Sequence, residues 1–113
     1  MGNRSKYYTE RGLNMNHSIP ERKDTDPRFR WHIEDYFKTD TDWEAAYTAL
    51  ETAIPEMASF SGSLAESAQV LLSCLQKNEE LSLKLDHIYT YANMRMHEDS
   101  ANAFYQGMAS KAE

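Results

Sequence analysis

Apolar residues recur at steps of three and four over most of the chain beyond residue 40, which is the spacing of an amphipathic helix. The first stripe of this kind contains Trp43, Ala46, Tyr47, Leu50, Ile54 and Met57. Thr41 and Glu44 stand near its start at the spacing of a capping box. Pro55 lies within the stripe and predicts a kink, because proline removes a backbone donor and its ring clashes with the preceding turn. The pattern predicts a helix near residues 42–59.

Further helical stripes follow a predicted turn at residues 61–63, which contains Gly62. Ser63 and Glu66 form a second capping-box candidate, and the stripe behind them predicts a helix near residues 64–76. Lys77 and Asn78 predict a break, since asparagine is a good N-cap. Two more helices are predicted, near 79–97 and 102–113. The first of these is apolar on more than one side, so we expect it to be the central and most buried helix.

The residues ahead of these stripes have a different character. Residues 1–27 are polar, show no regular period and contain Pro20 and Pro27, so we expect an extended basic arm that can be disordered. Large aromatic residues then follow closely at Phe29, Trp31, Tyr36 and Phe37. So many aromatics predict docking on a helical body, as a strand or as a helical turn. The sequence therefore predicts an all-α domain over 28–113, a small antiparallel bundle of about four helices behind the arm.

Composition and charge exclude several classes of function. The 113 residues suit one small domain. Residues 1–31 hold seven Lys/Arg against four Asp/Glu, whereas residues 32–113 hold five against fourteen. So acidic a body repels a phosphate backbone, and we expect no nucleic-acid partner. No apolar run approaches the roughly 20 residues of a membrane-spanning helix. A single cysteine, Cys74, is typical of a reducing compartment and predicts a cytoplasmic protein.

Catalytic motifs are incomplete in this chain. His97 and Glu98 begin the zinc-protease motif H-E-x-x-H, but Ala101 stands where the second histidine ligand is needed. His87 precedes His97 by ten residues, which places it on another helix face. Cys74 lies among leucines and is more typical of a small packed residue than of a nucleophile. We therefore predict no catalytic residue and no metal ligand within this chain.

The order of several short motifs resembles the opening of the oligoendopeptidase F family, zinc oligopeptidases related to thimet oligopeptidase. The motifs are IPER (19–22), WHIEDYF (31–37), DWE (42–44), FSGSL (60–64), AESA (65–68), LDHIYTYA (85–92), EDSAN (98–102) and FYQ (104–106). The resemblance covers roughly residues 19–113. It implies the N-terminal helical domain of a longer cytoplasmic enzyme that hydrolyses short peptides, with its zinc held by an H-E-x-x-H helix outside this chain.

In this family the N-terminal domain is a wall or lid of a deep channel. The resemblance therefore implies two partners, the remainder of the parent polypeptide and short peptide substrates. The residues that we would test for peptide contact are Tyr89, Tyr91, Asn93 and Arg95 on the predicted central helix. Arg95 stands between two methionines and could reach a peptide carboxylate, although a surface arginine with its stem on apolar neighbours is the alternative.

A second hypothesis follows from the last stripe, which runs to Ala112 without a C-cap signal. We expect from this that the sequence is a piece of a longer protein. The alternative is a free-standing helical interaction module, which could be a homodimer that covers an exposed apolar face.

Overall fold

The computed structural model describes residues 19–113. Over these residues it contains α-helices and 3-10 turns and no β-strand, which confirms the predicted all-α class. The chain divides after Arg30 into two compact units, of which the second is Trp31–Glu113. The predicted basic arm of residues 1–27 lies mostly outside the described residues. None of the helices between residues 19 and 113 combines the length and the low polarity needed to cross a bilayer.

Residues 19–30 differ from the extended arm that the sequence predicts. They contain two 3-10 turns, Arg22–Asp24 and Pro27–Phe29. The Asp26 carboxylate accepts the backbone N–H of Arg28 at 2.9 Å and pairs with its guanidinium at 2.7 Å. The Arg30 guanidinium donates to the carbonyl of Thr25 at 2.6 Å. These side chains satisfy nearby backbone and charged groups, so the segment folds on itself locally.

Three α-helices form the body of Trp31–Glu113. They are α1 (Asp40–Ala53), α2 (Ala68–Glu98) and α3 (Ala103–Ala112). A 3-10 turn at Ile33–Asp35 precedes α1, and a 3-10 helix at Ile54–Phe60 follows it directly. Because α2 contacts α1, α3 and the 3-10 helix, it is the central element, as predicted.

The N-cap of α1 lies two residues before the predicted one. The Thr39 hydroxyl accepts the backbone N–H of Asp42 at 3.1 Å, and the Asp42 carboxylate accepts the backbone N–H of Thr39 at 3.1 Å. The capping box is therefore formed by Thr39 and Asp42, and the prediction of Thr41 and Glu44 is wrong. Both threonines have an acidic residue three positions later, so the motif by itself does not select between them.

The start of α2 also differs from the prediction. Ser67 is the N-cap, and its hydroxyl accepts the backbone N–H three residues later at 3.1 Å. Ser63 instead donates to the carbonyl of Phe60 at 3.0 Å within the turn that precedes the helix. Gly62 adopts φ of +79° there, a conformation that side chains with a Cβ rarely adopt, so the predicted turn is present.

The predicted break at Lys77 and Asn78 is wrong, because α2 is continuous over 31 residues. The Lys77 ammonium pairs with Glu56 at 3.0 Å and Glu80 at 3.8 Å, so it is an ordinary surface cation of the helix. Asparagine costs well below about 1 kcal/mol in a helix interior, and neighbouring packing offsets that cost. The two predicted helices at 64–76 and 79–97 are thus one helix, and between residues 28 and 113 the bundle has three α-helices rather than about four.

Pro55 changes the type of helix rather than kinking one α-helix. α1 ends at Ala53, and the chain continues as the 3-10 helix, with Pro55 in its first turn. The backbone N–H of Ile54 still donates to the carbonyl of Leu50. A 3-10 helix accommodates proline near its start, since that position needs no backbone donor.

The core of Trp31–Glu113 lies between α1, the C-terminal half of α2, and α3. Its buried residues are Ile33, Trp43, Leu50, Leu81, Ile88, Tyr91, Ala92, Met108 and Ala112. The indole N–H of Trp43 donates to the carbonyl of Ile88 at 2.8 Å, which joins α1 to α2. Leu83 and Leu85 on α2 are 57% and 45% exposed, so only one side of this helix is buried, although its sequence is apolar on more than one side.

Tyr36 and Phe37 of the aromatic segment dock on α2, directly after the 3-10 turn at Ile33–Asp35. The Phe37 ring meets Tyr91 edge-on at 5.4 Å between ring centroids, and Tyr36 meets His87 at 5.3 Å. Phe29 and Trp31 are exposed. The prediction that this segment packs on the helical body is confirmed for Tyr36 and Phe37.

Candidate functional site

The four residues predicted to contact peptide lie in one stretch of α2 and separate into two pairs. Tyr91 is fully buried, and the Arg95 side chain is 19% exposed. Tyr89 is 46% exposed, and the Asn93 amide donates to its backbone carbonyl at 3.0 Å. Residues four apart share a helix face, so Tyr91 and Arg95 face the core while Tyr89 and Asn93 share a more exposed face. The structure therefore brings the four together only in pairs.

Tyr91 and Arg95 belong to a polar cluster around Asp40, the first residue of α1. The Asp40 carboxylate accepts the Tyr91 hydroxyl at 2.7 Å, the Tyr105 hydroxyl at 3.1 Å and the Nε–H of Arg95 at 3.2 Å. We call Asp40, Tyr91, Arg95 and Tyr105 the Asp40 cluster. It contains one residue from α1, two from α2 and one from α3. The cluster therefore links all three helices through one carboxylate, whose charge also suits the N-terminus of α1.

Arg95 lies between two aromatic rings of the cluster. Its guanidinium carbon is 5.4 Å from the ring centroid of Tyr91 and 5.3 Å from that of Tyr105. Its Nη1 lies 3.8 Å from the carboxylate of Glu98, one turn later on α2. The cation is therefore held by carboxylates and ring faces together, an arrangement that a planar guanidinium suits better than an ammonium.

The surroundings of Tyr91, Arg95 and Tyr105 raise the pKa of each of these three groups. Burial, together with the hydrogen bond to Asp40, raises the pKa of Tyr91 to about 12. Burial and the charge of Asp40 also raise the pKa of Tyr105. Burial acts to lower the pKa of Arg95, but its bond to Tyr91 and the charge of Asp40 leave that pKa above its ordinary value. All three groups thus keep their protons near neutral pH, which suits a fixed hydrogen-bond network rather than proton transfer.

Sequence reasoning selected Tyr91 and Arg95 but missed Asp40 and Tyr105. The available signal was the core-facing position of Tyr91 and Arg95, which stand four residues apart. A buried hydroxyl and a guanidinium require an acceptor, and a carboxylate at a helix start is a suitable one. The motif search instead assigned the threonines and acids around Asp40 to capping.

A small pocket opens between α1 and α2, with a volume of about 280 Å³. It is lined by Phe37, Ala46, Ala49, Leu50, Lys84, His87 and Ile88. The Lys84 ammonium pairs with Glu80 at 2.6 Å. The lining is mainly apolar and contains no carboxylate.

The described residues do not fit a metal ion. Between residues 19 and 113 no group of three or more His, Cys, Asp or Glu side chains is arranged to hold one. His87 contacts the Tyr36 ring, and Glu98 lies against Arg95. The incomplete H-E-x-x-H motif at His97 therefore coincides with the C-terminal end of α2 rather than with a cluster of ligands.

The chain matches curated bacterial oligopeptidases. It is 35% identical over 94 residues to the oligopeptidase PepF of Bacillus subtilis and 34% identical over 91 residues to the group B oligopeptidase PepB of Streptococcus agalactiae. It is 31% identical over 98 residues to the chromosomal oligoendopeptidase F of Lactococcus lactis. These alignments cover 80–83% of this chain but only 14–16% of each relative. No family model and no solved structure matches the chain.

Proposed function

This chain belongs to the oligoendopeptidase F family, as its ordered motifs predict, and we propose that it forms part of the wall or lid of a larger peptide-hydrolysing enzyme. The main observation that supports this proposal is the alignment with the oligopeptidases. Most of the chain matches oligopeptidases, yet the match accounts for only 14–16% of their length. In this proposal the reaction, and the zinc that the family resemblance implies, belong to the remainder of a cytoplasmic parent enzyme. The substrates are short peptides.

The Asp40 cluster supports a rigid wall. A wall restricts access only if its helices keep their relative positions, and one carboxylate here connects α1, α2 and α3. Charge-assisted hydrogen bonds in a half-buried site are stronger than neutral ones in water, so they resist separation of the helices. In the proposed function Tyr91 and Arg95 therefore keep the domain in shape, and their contact with peptide stays a prediction.

Tyr89 and Asn93 are the pair that we propose for contact with the peptide. They share one face of α2, and the Asn93 amide already donates to the Tyr89 carbonyl at 3.0 Å. That bond leaves the Asn93 side-chain carbonyl as an acceptor for a peptide N–H. The Tyr89 ring offers a flat apolar surface and a hydroxyl, which suit an extended peptide of varied sequence.

A hybrid enzyme tests the proposed function. In the hybrid, the 113-residue chain replaces the matching segment of Bacillus subtilis PepF. Its hydrolysis of a fluorogenic short peptide is compared with that of PepF lacking the segment. We expect the hybrid to regain hydrolysis of short peptides and to leave a folded protein uncut. A hybrid that is well folded but no more active than the truncated enzyme would contradict the proposal.

Substitution of Tyr89 in the same hybrid tests the peptide contact. We expect Tyr89→Ala to raise KM about threefold to tenfold with kcat nearly unchanged, because it removes binding that substrate and transition state share. Tyr36→Ala is the matched control, since Tyr36 is the same side chain and is 38% exposed. Equal KM values for the two variants would remove Tyr89 from the substrate site.

A free-standing interaction module is the second candidate, and the exposed leucines of α2 favour it. Large exposed apolar surfaces on small domains often mark sites of association. Light scattering of the 113-residue chain separates the candidates: the module hypothesis expects a homodimer, whereas the wall hypothesis expects a monomer.

A further inference from the structure

Beside its buried face, α2 carries a second regular stripe. Its members are Leu71, Leu75, Asn78, Ser82 and Leu85, at alternating steps of four and three residues. We call these five residues the outer stripe. All five are exposed, and Leu71, Leu75 and Leu85 are 43%, 57% and 45% exposed. None of the five carries a charge, whereas α2 has charged residues such as Glu79 and Lys84 at intervening positions.

This spacing is that of a helix that packs against another helix. Steps of four and three give a mean period of about 3.5 residues, which keeps one seam facing a helical partner. Leucine supplies the apolar contact, serine permits close approach, and a lone asparagine in such a seam fixes the register of the partner. An exposed helix that has no partner usually carries charges at some of these positions.

We propose that the outer stripe docks an apolar helix from the remainder of the parent polypeptide. This inference rests on the proposed function, because it requires that the chain is part of a longer protein. The partner helix would present leucine, isoleucine or valine to Leu71, Leu75 and Leu85 and a hydrogen-bonding side chain to Asn78.

Size favours a helix of the same polypeptide over a second copy of this chain. The outer stripe is about 21 Å long and roughly 10 Å wide. That area, on the order of 200 Å², is far below the roughly 800 Å² per partner of a standard stable complex. A covalently connected helix avoids most of the entropy cost of association and can dock on so small a surface. The curated relatives contain a long further stretch of chain, since the matched segment is only 14–16% of their length.

Two double variants in the PepF hybrid test the proposal. Leu75→Glu/Leu85→Glu places charge in the outer stripe. Leu72→Glu/Leu83→Glu is the matched control on the same helix, with leucines that are 47% and 57% exposed but lie outside the stripe. We expect the stripe variant to lower the melting temperature of the hybrid and to raise its rate of tryptic cleavage about tenfold relative to the control. Equal melting and cleavage for the two variants would overturn the proposal.

The same pair of variants in the 113-residue chain excludes a simple loss of folding. We expect both to retain the helical circular dichroism and the melting temperature of the unsubstituted chain, since all four leucines are exposed there. A homodimer that the stripe variant alone dissociates would identify a second copy as the occupant and overturn the proposal. If the unsubstituted hybrid folds but is inactive, the proposed function is wrong. The melting temperatures and cleavage rates of the double variants still test whether a helix docks on the outer stripe.

Discussion

The carboxylate of Asp40 and the hydroxyl of Tyr91 lie 2.7 Å apart, although 51 positions separate them in the chain. The bond connects the first residue of α1 to the C-terminal half of α2. Tyr105 of α3 donates to the second oxygen of the same carboxylate. One short acidic side chain therefore determines how the N-terminus of α1 sits against the two later helices.

Removal of the Asp40 carboxylate tests the importance of this arrangement. We expect Asp40→Ala to lower the free energy of unfolding by about 2 kcal/mol, because two hydroxyls and a guanidinium lose their charged acceptor. Urea denaturation followed by circular dichroism measures the change. Asp86→Ala, at an exposed site on α2, serves as the control and is expected to shift stability by less than about 0.5 kcal/mol. Similar losses for the two variants would show that the cluster contributes little.

Alkaline pH should destabilise the domain through Tyr91. Its pKa is raised from 10.0 to about 12, so the folded state favours the protonated phenol. The stabilisation is complete below pH 10 and is lost as the pH rises through 12. We expect the urea midpoint to fall over this interval and Tyr91→Phe to reduce the fall. If the urea midpoint falls equally in the unsubstituted chain and in Tyr91→Phe, the alkaline loss of stability comes from other groups.

Two glycines should respond to alanine in opposite directions. Gly62 has φ of +79°, whereas Gly107 lies inside α3, and neither would place a Cβ within 4 Å of another group. We expect Gly62→Ala to destabilise by about 1 kcal/mol, because the backbone conformation is strained for alanine. Gly107→Ala should stabilise by about 0.5–1 kcal/mol through helix propensity. Thermal melts of the two variants measure both changes in stability. A change in the same direction for both variants would contradict the turn geometry assigned to Gly62.

The N-cap of α2 can be tested with two serines that lie four positions apart. Ser67→Ala should cost about 1 kcal/mol, since the hydroxyl accepts a backbone N–H of the first turn. Ser63→Ala should cost less, because Ser63 donates to a carbonyl in the turn and caps no helix. Chemical denaturation of both variants supplies the comparison. A larger loss at Ser63 would restore the helix start that the sequence motif predicts.

The helical class and the apolar stripes could be predicted from the sequence because they depend on period alone. Trp43 and Leu50 are buried on α1, as their spacing predicts. The helix boundaries could not be predicted in the same way. Thr39 and Thr41 offer equivalent caps, and a surface lysine such as Lys77 looks the same in a break as in a continuous helix paired with Glu56. Only packing, which is not local in sequence, decides between these alternatives.

The residues of the candidate site were harder to predict from the sequence than the helix boundaries, because they are brought together by tertiary contacts. The sequence placed Tyr91 and Arg95 on one helix and indicated that they need an acceptor, but it did not select Asp40, more than 50 positions earlier, from the other carboxylates. Both were therefore predicted to contact peptide, whereas the structure engages them with α1. Tyr89 and Asn93, which share a face, remain the better candidates for that contact. Helix periodicity could have separated the two pairs, since positions 89 and 93 alternate with 91 and 95.

The length of α2 gives the domain two ends of unequal stability. A helix of 31 residues is about 46 Å long, more than twice the length of α1. Its buried residues, Leu81, Ile88, Tyr91 and Ala92, all lie beyond residue 80. Local opening requires little loss of burial in residues 68–80. Amide deuteration should therefore be fast in those turns and slow near Tyr91. One continuous helix then has an N-terminal end that opens readily and a C-terminal end that stays closed.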